Sequence, residues 1–211
     1  MLLQPSAPPF LVSLLLVLCV ALPVHAADKQ SPGPQPVLQF SAASTEPVIE
    51  YNLVHHLLAQ QDPVPLLRVY GDGRVHVHFP AYMKRAGDYE MVISRVQLND
   101  LLRQLTDDGV MDFDPATVKQ EKQQLEAARR AATGELFHIS DATDTYITVK
   151  LAQYQRSLAS PRISDFSKQF RWRNLNSDAH RYPQSTRLTR AANAAAILRT
   201  VCEHPALRKL P

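Results

Sequence analysis

The sequence predicts an α+β fold. It reads as a single domain, a mainly antiparallel sheet of about five or six strands covered by helices, preceded by a signal peptide and a disordered linker. Three observations predict this. Arg74 to Phe79 alternates strictly, with Val75, Val77 and Phe79 on one face and Arg74, His76 and His78 on the other. That is the pattern of an antiparallel strand with one wet face. Val96, Leu98, Leu101, Leu102 and Leu105 recur at the spacing of a helix packed on a sheet. The expected mature chain, Ala27 to Pro211, has a length that suits one domain and can bury one sizeable core.

The chain opens with an export signal. Residues 1–26 contain no Lys, Arg, Asp or Glu, and Phe10 to Leu22 is an apolar run broken only by Ser13. Pro23 follows, then Val24-His25-Ala26, so a signal peptide cut after Ala26 is expected. Its first residues, MLLQPSAPP, depart from the usual pattern in lacking a basic side chain. The apolar run is shorter than the roughly 20 residues a spanning helix needs, so no stable membrane span is expected after cleavage. Cys19 follows Leu18 inside the run, which does not suit a lipid-modified cysteine. The expected location is periplasmic or secreted. After cleavage Cys202 is the one cysteine left, so packing has to supply the stability. Residues 27–47 carry Pro32, Pro34, Pro36 and Pro47 among Ser, Gln and Gly, and read as the proline-rich disordered linker.

The domain then starts at Val48. Ile49, Tyr51 and Leu53 alternate with Glu50 and Asn52 as a first strand, and Asp62-Pro63 breaks it. Leu66 to Tyr70 is a second strand. Gly71-Asp72-Gly73 is the tight turn into Arg74–Phe79, since glycine tolerates positive φ at little cost. Ala86-Gly87-Asp88 turns the chain into a strand over Tyr89 to Ile93. Ser94 and Gln97 have capping-box spacing, and Gly109 is placed to end the helix. A V-Y-G-D-G-R-V hairpin, a glycine-containing loop, a short strand and an S-x-x-Q-L-x-x-L-L helix together resemble small secreted bacterial proteins of unknown function. The similar segment runs from Val48 to Asp114. The resemblance implies an envelope location and an α+β fold, and brings no reaction with it.

Asp114-Pro115 is a helix cap followed by proline at the first helical position. Residues 115–133 then read as an exposed helical insertion: Gln, Lys, Glu, Arg and Ala dominate, only Val118 and Leu125 suit a core, and Glu126 and Arg130 are spaced to pair. Glu135 to Ile139 and Thr145 to Tyr154 suggest a second hairpin around residues 140–144. Asp141 and Asp144 suit a turn there better than a cation loop, and Asp107, Asp108, Asp112 and Asp114 suit helix ends. Phe170-Arg171-Trp172-Arg173 alternates as a strand with its arginines outward. Ser177 to Tyr182 is a short helix. Ser185 or Thr186 caps a last one, whose stripe Leu188, Ala191, Ala195, Leu198 and Cys202 makes Cys202 a small buried hydrophobe.

Charge is unevenly spread. Residues 27–150 hold 12 Lys and Arg against 17 Asp and Glu, whereas residues 151–211 hold 11 against 3. This leaves two expectations: either Arg171 and Arg173 form a surface for an anionic partner, or the basic third pairs with the acidic part of its own domain. Arginines and aromatics fall on opposite strand faces and the chain is exported, so nucleic acid is not an expected partner. His76 and His78 share a strand face, with His55 and His56 on another strand, so a metal-dependent hydrolase using His76 and His78 is one reading. No metalloprotease helix motif, nucleophile elbow or phosphate-binding glycine loop accompanies them, and no cofactor is expected. The favoured expectation is a non-catalytic binding or interaction protein of the bacterial cell envelope. Its partner would be an anionic envelope component or another protein.

Overall fold

The computed structural model describes residues 36–43, 45–58, 62–136 and 142–211. The proposed signal peptide and residues 27–35 of the expected linker lie outside the described residues. Strands β1 (Val37–Gln39), β2 (Pro47–His55), β3 (Leu67–Tyr70), β4 (Arg74–Phe79) and β5 (Gly87–Val92) come first. Helices α1 (Arg95–Asp107) and α2 (Pro115–Thr133) follow, then the long strands β6 (Thr143–Gln155) and β7 (Ile163–Arg173). Helices α3 (Leu175–Arg181) and α4 (Thr186–Cys202) and the short β8 (Arg208–Lys209) complete the order.

The eight strands form one sheet in the order β1-β6-β2-β3-β4-β5-β8, with β7 also on β6. Every pairing is antiparallel. Thr148 of β6 opposes both Glu50 of β2 and Gln169 of β7, so β7 lies on the far side of β6 and, among the described residues, pairs with it alone. The strands β3, β4 and β5 are the expected meander, and α1 covers it. Ser94 accepts from the Gln97 amide at 3.2 Å while its own amide donates to Gln97 Oε1 at 2.8 Å, which completes the capping box. Leu98, Leu101, Leu102 and Leu105 of α1 join Ile49, Val69, Val77 and Ile147 in a single apolar cluster. Leu188, Ala191, Ala195, Leu198 and Cys202 of α4 lie in the same cluster. The helices therefore pack on one face of the sheet.

Several elements differ from expectation. Residues 36–43 were expected to belong to the linker, yet Val37–Gln39 pairs with Gln153–Gln155 as a strand. Gly71 explains its position: a Cβ there would run into the carbonyl of Ser41, so the first turn and this segment touch backbone to backbone. The described part of the expected partner of β6, residues 135–136, is not a strand. Residues 137–141 lie outside the described residues, and β6 forms its hairpin with β7. Helix α2 is exposed as expected, with Val118 its one buried residue and Gly134 in a left-handed cap at φ 71. Glu126 pairs with Lys122 at 3.4 Å, one turn before it, rather than with Arg130.

Candidate functional site

Alternation sends a second set of side chains to the face opposite the helices. Register aligns them in a row across the sheet: Gln169, Thr148, Glu50, Arg68, His76, Glu90 and Arg208. Arg171, Tyr146 and Asn52 form the start of a parallel row beside it. Tyr70 and Arg74 lie on the same face, the Arg74 guanidinium 4.9 Å above the Tyr70 ring. This outer face is polar, carries both signs of charge, and is rich in Tyr, Arg and His. Glu50, Asn52, Val54, Tyr146, Thr148 and Gln169 line a shallow cleft of about 210 Å³ in it.

The histidines of β4 do share that face. His78 stands between two carboxylates, Nδ1 at 2.8 Å from Asp88 and Nε2 at 2.9 Å from Asp62. His76 Nε2 lies 3.3 Å from the same Asp88 oxygen. Burial alone would lower the His78 pKa, but the hydrogen bonds to Asp62 and Asp88 outweigh it and raise the value. The His78 hydrogen bond likewise holds Asp62 below the usual carboxylate range. Both ring nitrogens of His78 are thus engaged with carboxylates. Among the described residues, no group of three His, Cys, Asp or Glu side chains is arranged to hold a metal ion.

His55 and His56 sit at the end of β2, away from His76 and His78 in the sheet. His55 Nδ1 meets Thr143 Oγ1 at 3.0 Å, and His56 Nε2 lies 2.9 Å from Asp144 Oδ2. Asp144 is the hub of this corner. It is fully buried and also takes the Arg171 guanidinium, whose Nε lies at 2.6 Å, and Arg173 Nε at 3.5 Å. Burial would raise the Asp144 pKa, but His56 and Arg171 outweigh it and lower the value. Arg171 also lies 5.5 Å above the Tyr146 ring.

The two arginines therefore face outward as expected, with Phe170 and Trp172 buried on the other side. Their guanidinium groups nevertheless turn back onto Asp144, so they are not free cations awaiting an anion. Other residues of the basic third do the same. Arg156 pairs with Asp112, Arg187 with Glu121 and Arg181 with Glu135. Asp144 and the Asp62–Asp88 pair escaped the sequence reading because aspartate in a turn is unremarkable. The available signal was alternation, which puts Asp144 on the face of Tyr146, opposite a basic strand.

Among the described residues around these clusters, the hydroxyls and the thiol are not arranged as an activated nucleophile. Burial pushes the Cys202 thiol up to about 12, far from a reactive thiolate. Thr143 is bonded to His55, but the carboxylate that could orient a base is bonded to His56 instead. No helix among the described residues is long and apolar enough to cross a membrane. Comparison with protein-family models, with curated proteins and with solved structures finds no match for the chain.

Proposed function

We propose that the chain is an exported, non-catalytic interaction protein of the bacterial cell envelope, and that the outer sheet face docks another protein. The export signal and the resemblance described above support the location. One observation carries the docking surface: a registered row of polar side chains seven strands wide that includes Arg68, with Tyr70, Tyr146, Arg74 and Arg171 beside it on the same face. Tyrosine and arginine dominate the energetics of protein interfaces because each gives large contact area together with directional hydrogen bonds. The mixed charge favours a protein with a complementary mixed face over a uniformly anionic polymer. The metal-dependent hydrolase using His76 and His78 draws less support, because His78 already spends both nitrogens on carboxylates.

The test is capture from envelope extract with three versions of the protein. These are wild type, Tyr146→Ala/Arg68→Ala on the outer face, and Arg130→Glu on exposed α2, each checked for an unchanged urea midpoint. A partner retained by wild type and Arg130→Glu but lost by the outer-face variant supports the reading. A partner held equally by all three, or lost only from Arg130→Glu, removes it. Stoichiometric zinc in the purified protein, lost on changing His76 and His78 together, would turn the reading toward the hydrolase.

A further inference from the structure

On the helix side of the sheet, a second cleft lies at the end where β2, β6 and the start of α3 meet. Its volume is about 210 Å³, and its described lining is Leu53, His55, Thr143, Thr145, Asn174, Leu175, Asn176, Ser177 and Arg199. Leu53 and Thr145 belong to the inward alternation, so this cleft is separate from the outer face. The chemistry of the lining is one-sided. Seven of these nine side chains carry a hydrogen-bond donor or a titratable nitrogen, and none of them is a carboxylate. Arg199 makes no ion pair among the described residues, unlike Arg171, Arg173, Arg156, Arg181 and Arg187. His55 uses Nδ1 on Thr143, which leaves its Nε2 without a partner among the described residues. Asn174 supports the rim: its Oδ1 accepts from the Thr143 amide at 3.0 Å, and its own backbone is left-handed at φ 60. A non-glycine residue in that region is held there by its surroundings, as happens where a loop shapes a site.

We propose that this cleft binds a small oxyanion, either a carboxylate or a phosphate. Arg199 offers the charged, forked donor such groups prefer, the hydroxyls of Thr145 and Ser177 are neutral donors around it, and the bonded His55–Thr143 pair supplies one more, either the His55 Nε2–H or the Thr143 hydroxyl according to the tautomer. Five other arginines of the last third pair with carboxylates, whereas Arg199 stands in a cleft whose described lining holds no acid.

The purified protein is titrated with inorganic phosphate and, separately, with acetate, and followed by amide NMR. Saturable shifts confined to residues 143–145 and 174–177 and to Arg199 are expected. A response to phosphate alone assigns a phosphate ligand, and a response to acetate alone assigns a carboxylate. Arg199→Gln should weaken binding about tenfold to a hundredfold, the range for losing one charge-assisted hydrogen bond. Ser177→Asp places a carboxylate at an exposed point of the lining and should abolish binding without disturbing the core. Arg162→Gln, an exposed arginine elsewhere, should leave the affinity unchanged. Shifts that never saturate with either anion, or wild-type affinity in the folded Ser177→Asp variant, would overturn the proposal.

Discussion

Asp144 is a buried charge whose cationic partners reach it from the surface. Arg171 and Arg173 are 56% and 59% exposed in their side chains, while Asp144 has no exposure at all. An exposed arginine pair alone contributes little, but removing both strands a buried carboxylate with only His56. Arg171→Ala/Arg173→Ala should therefore lower the urea midpoint, with the stranded carboxylate costing about 1–3 kcal/mol. An unchanged midpoint would mean that His56 alone satisfies Asp144. The pH dependence has a definite sign. The folded Asp144 pKa is lowered, so its contribution is present above the ordinary value of about 3.9 and is lost as pH falls through the folded value. Asp144→Asn should flatten that acid limb in urea melts. His78 works in the opposite direction. Its folded pKa is raised, so its contribution is full below about pH 6.5 and fades as pH rises through the folded value. Imidazole NMR should find His78 titrating above that value, and a normal titration would break the Asp62–His78–Asp88 arrangement. The outward direction of these arginines and histidines was legible, because alternation fixes it. Their partners were not, because a carboxylate beside a turn carries no local sign of what lies across the sheet from it.

Among the elements, the hairpin β3–β4 and the strand β7 give the sharpest tests. Gly73 has φ 91, and a Cβ there would meet the Ile93 carbonyl. Gly73→Val should thus cost on the order of 1–3 kcal/mol, clearly more than Arg74→Ala, in a comparison of urea midpoints. Trp172 is 7% exposed, packs edge-on against Phe113 at 5.8 Å, and donates from Nε1 to Asp178 at 2.8 Å. Trp172→Ala should cost about 3–5 kcal/mol by the same measurement, and a smaller loss would mean that α3 collapses to fill the space. The caps, the stripes and the meander were readable because each is written in residues a few positions apart. Ser94 with Gln97 and Asp114 with Pro115 both behave as their spacing implies. The partner of β6 was not readable. Its strong strand signal at Tyr146–Val149 says only that a strand exists, and the choice of β2 and β7 depends on contacts far along the chain.

For the whole molecule, folding offsets part of the uneven charge: five arginines of the basic last third are laid against acidic residues from Asp112 to Asp144 in the middle of the chain. The place where this happens most densely, β7, has β6 on one side and, among the described residues, no strand on the other. A strand of 11 residues in that position presents a row of unpaired amides and carbonyls to any passing chain, including another copy of itself. Two features make it a poor template. Asp165 takes a left-handed turn of the backbone at φ 50, which spoils a straight run, and Lys168, Arg171 and Arg173 put like charges at intervals along the rest. The arginines that steady Asp144 therefore also keep molecules apart. Arg171→Val/Arg173→Val should not merely destabilise the fold but make it self-adhesive, with scattering or sedimentation that grows with protein concentration, while Arg187→Val on α4 should stay monodisperse. A guarded border of this kind decides whether the protein remains one molecule or seeds a deposit.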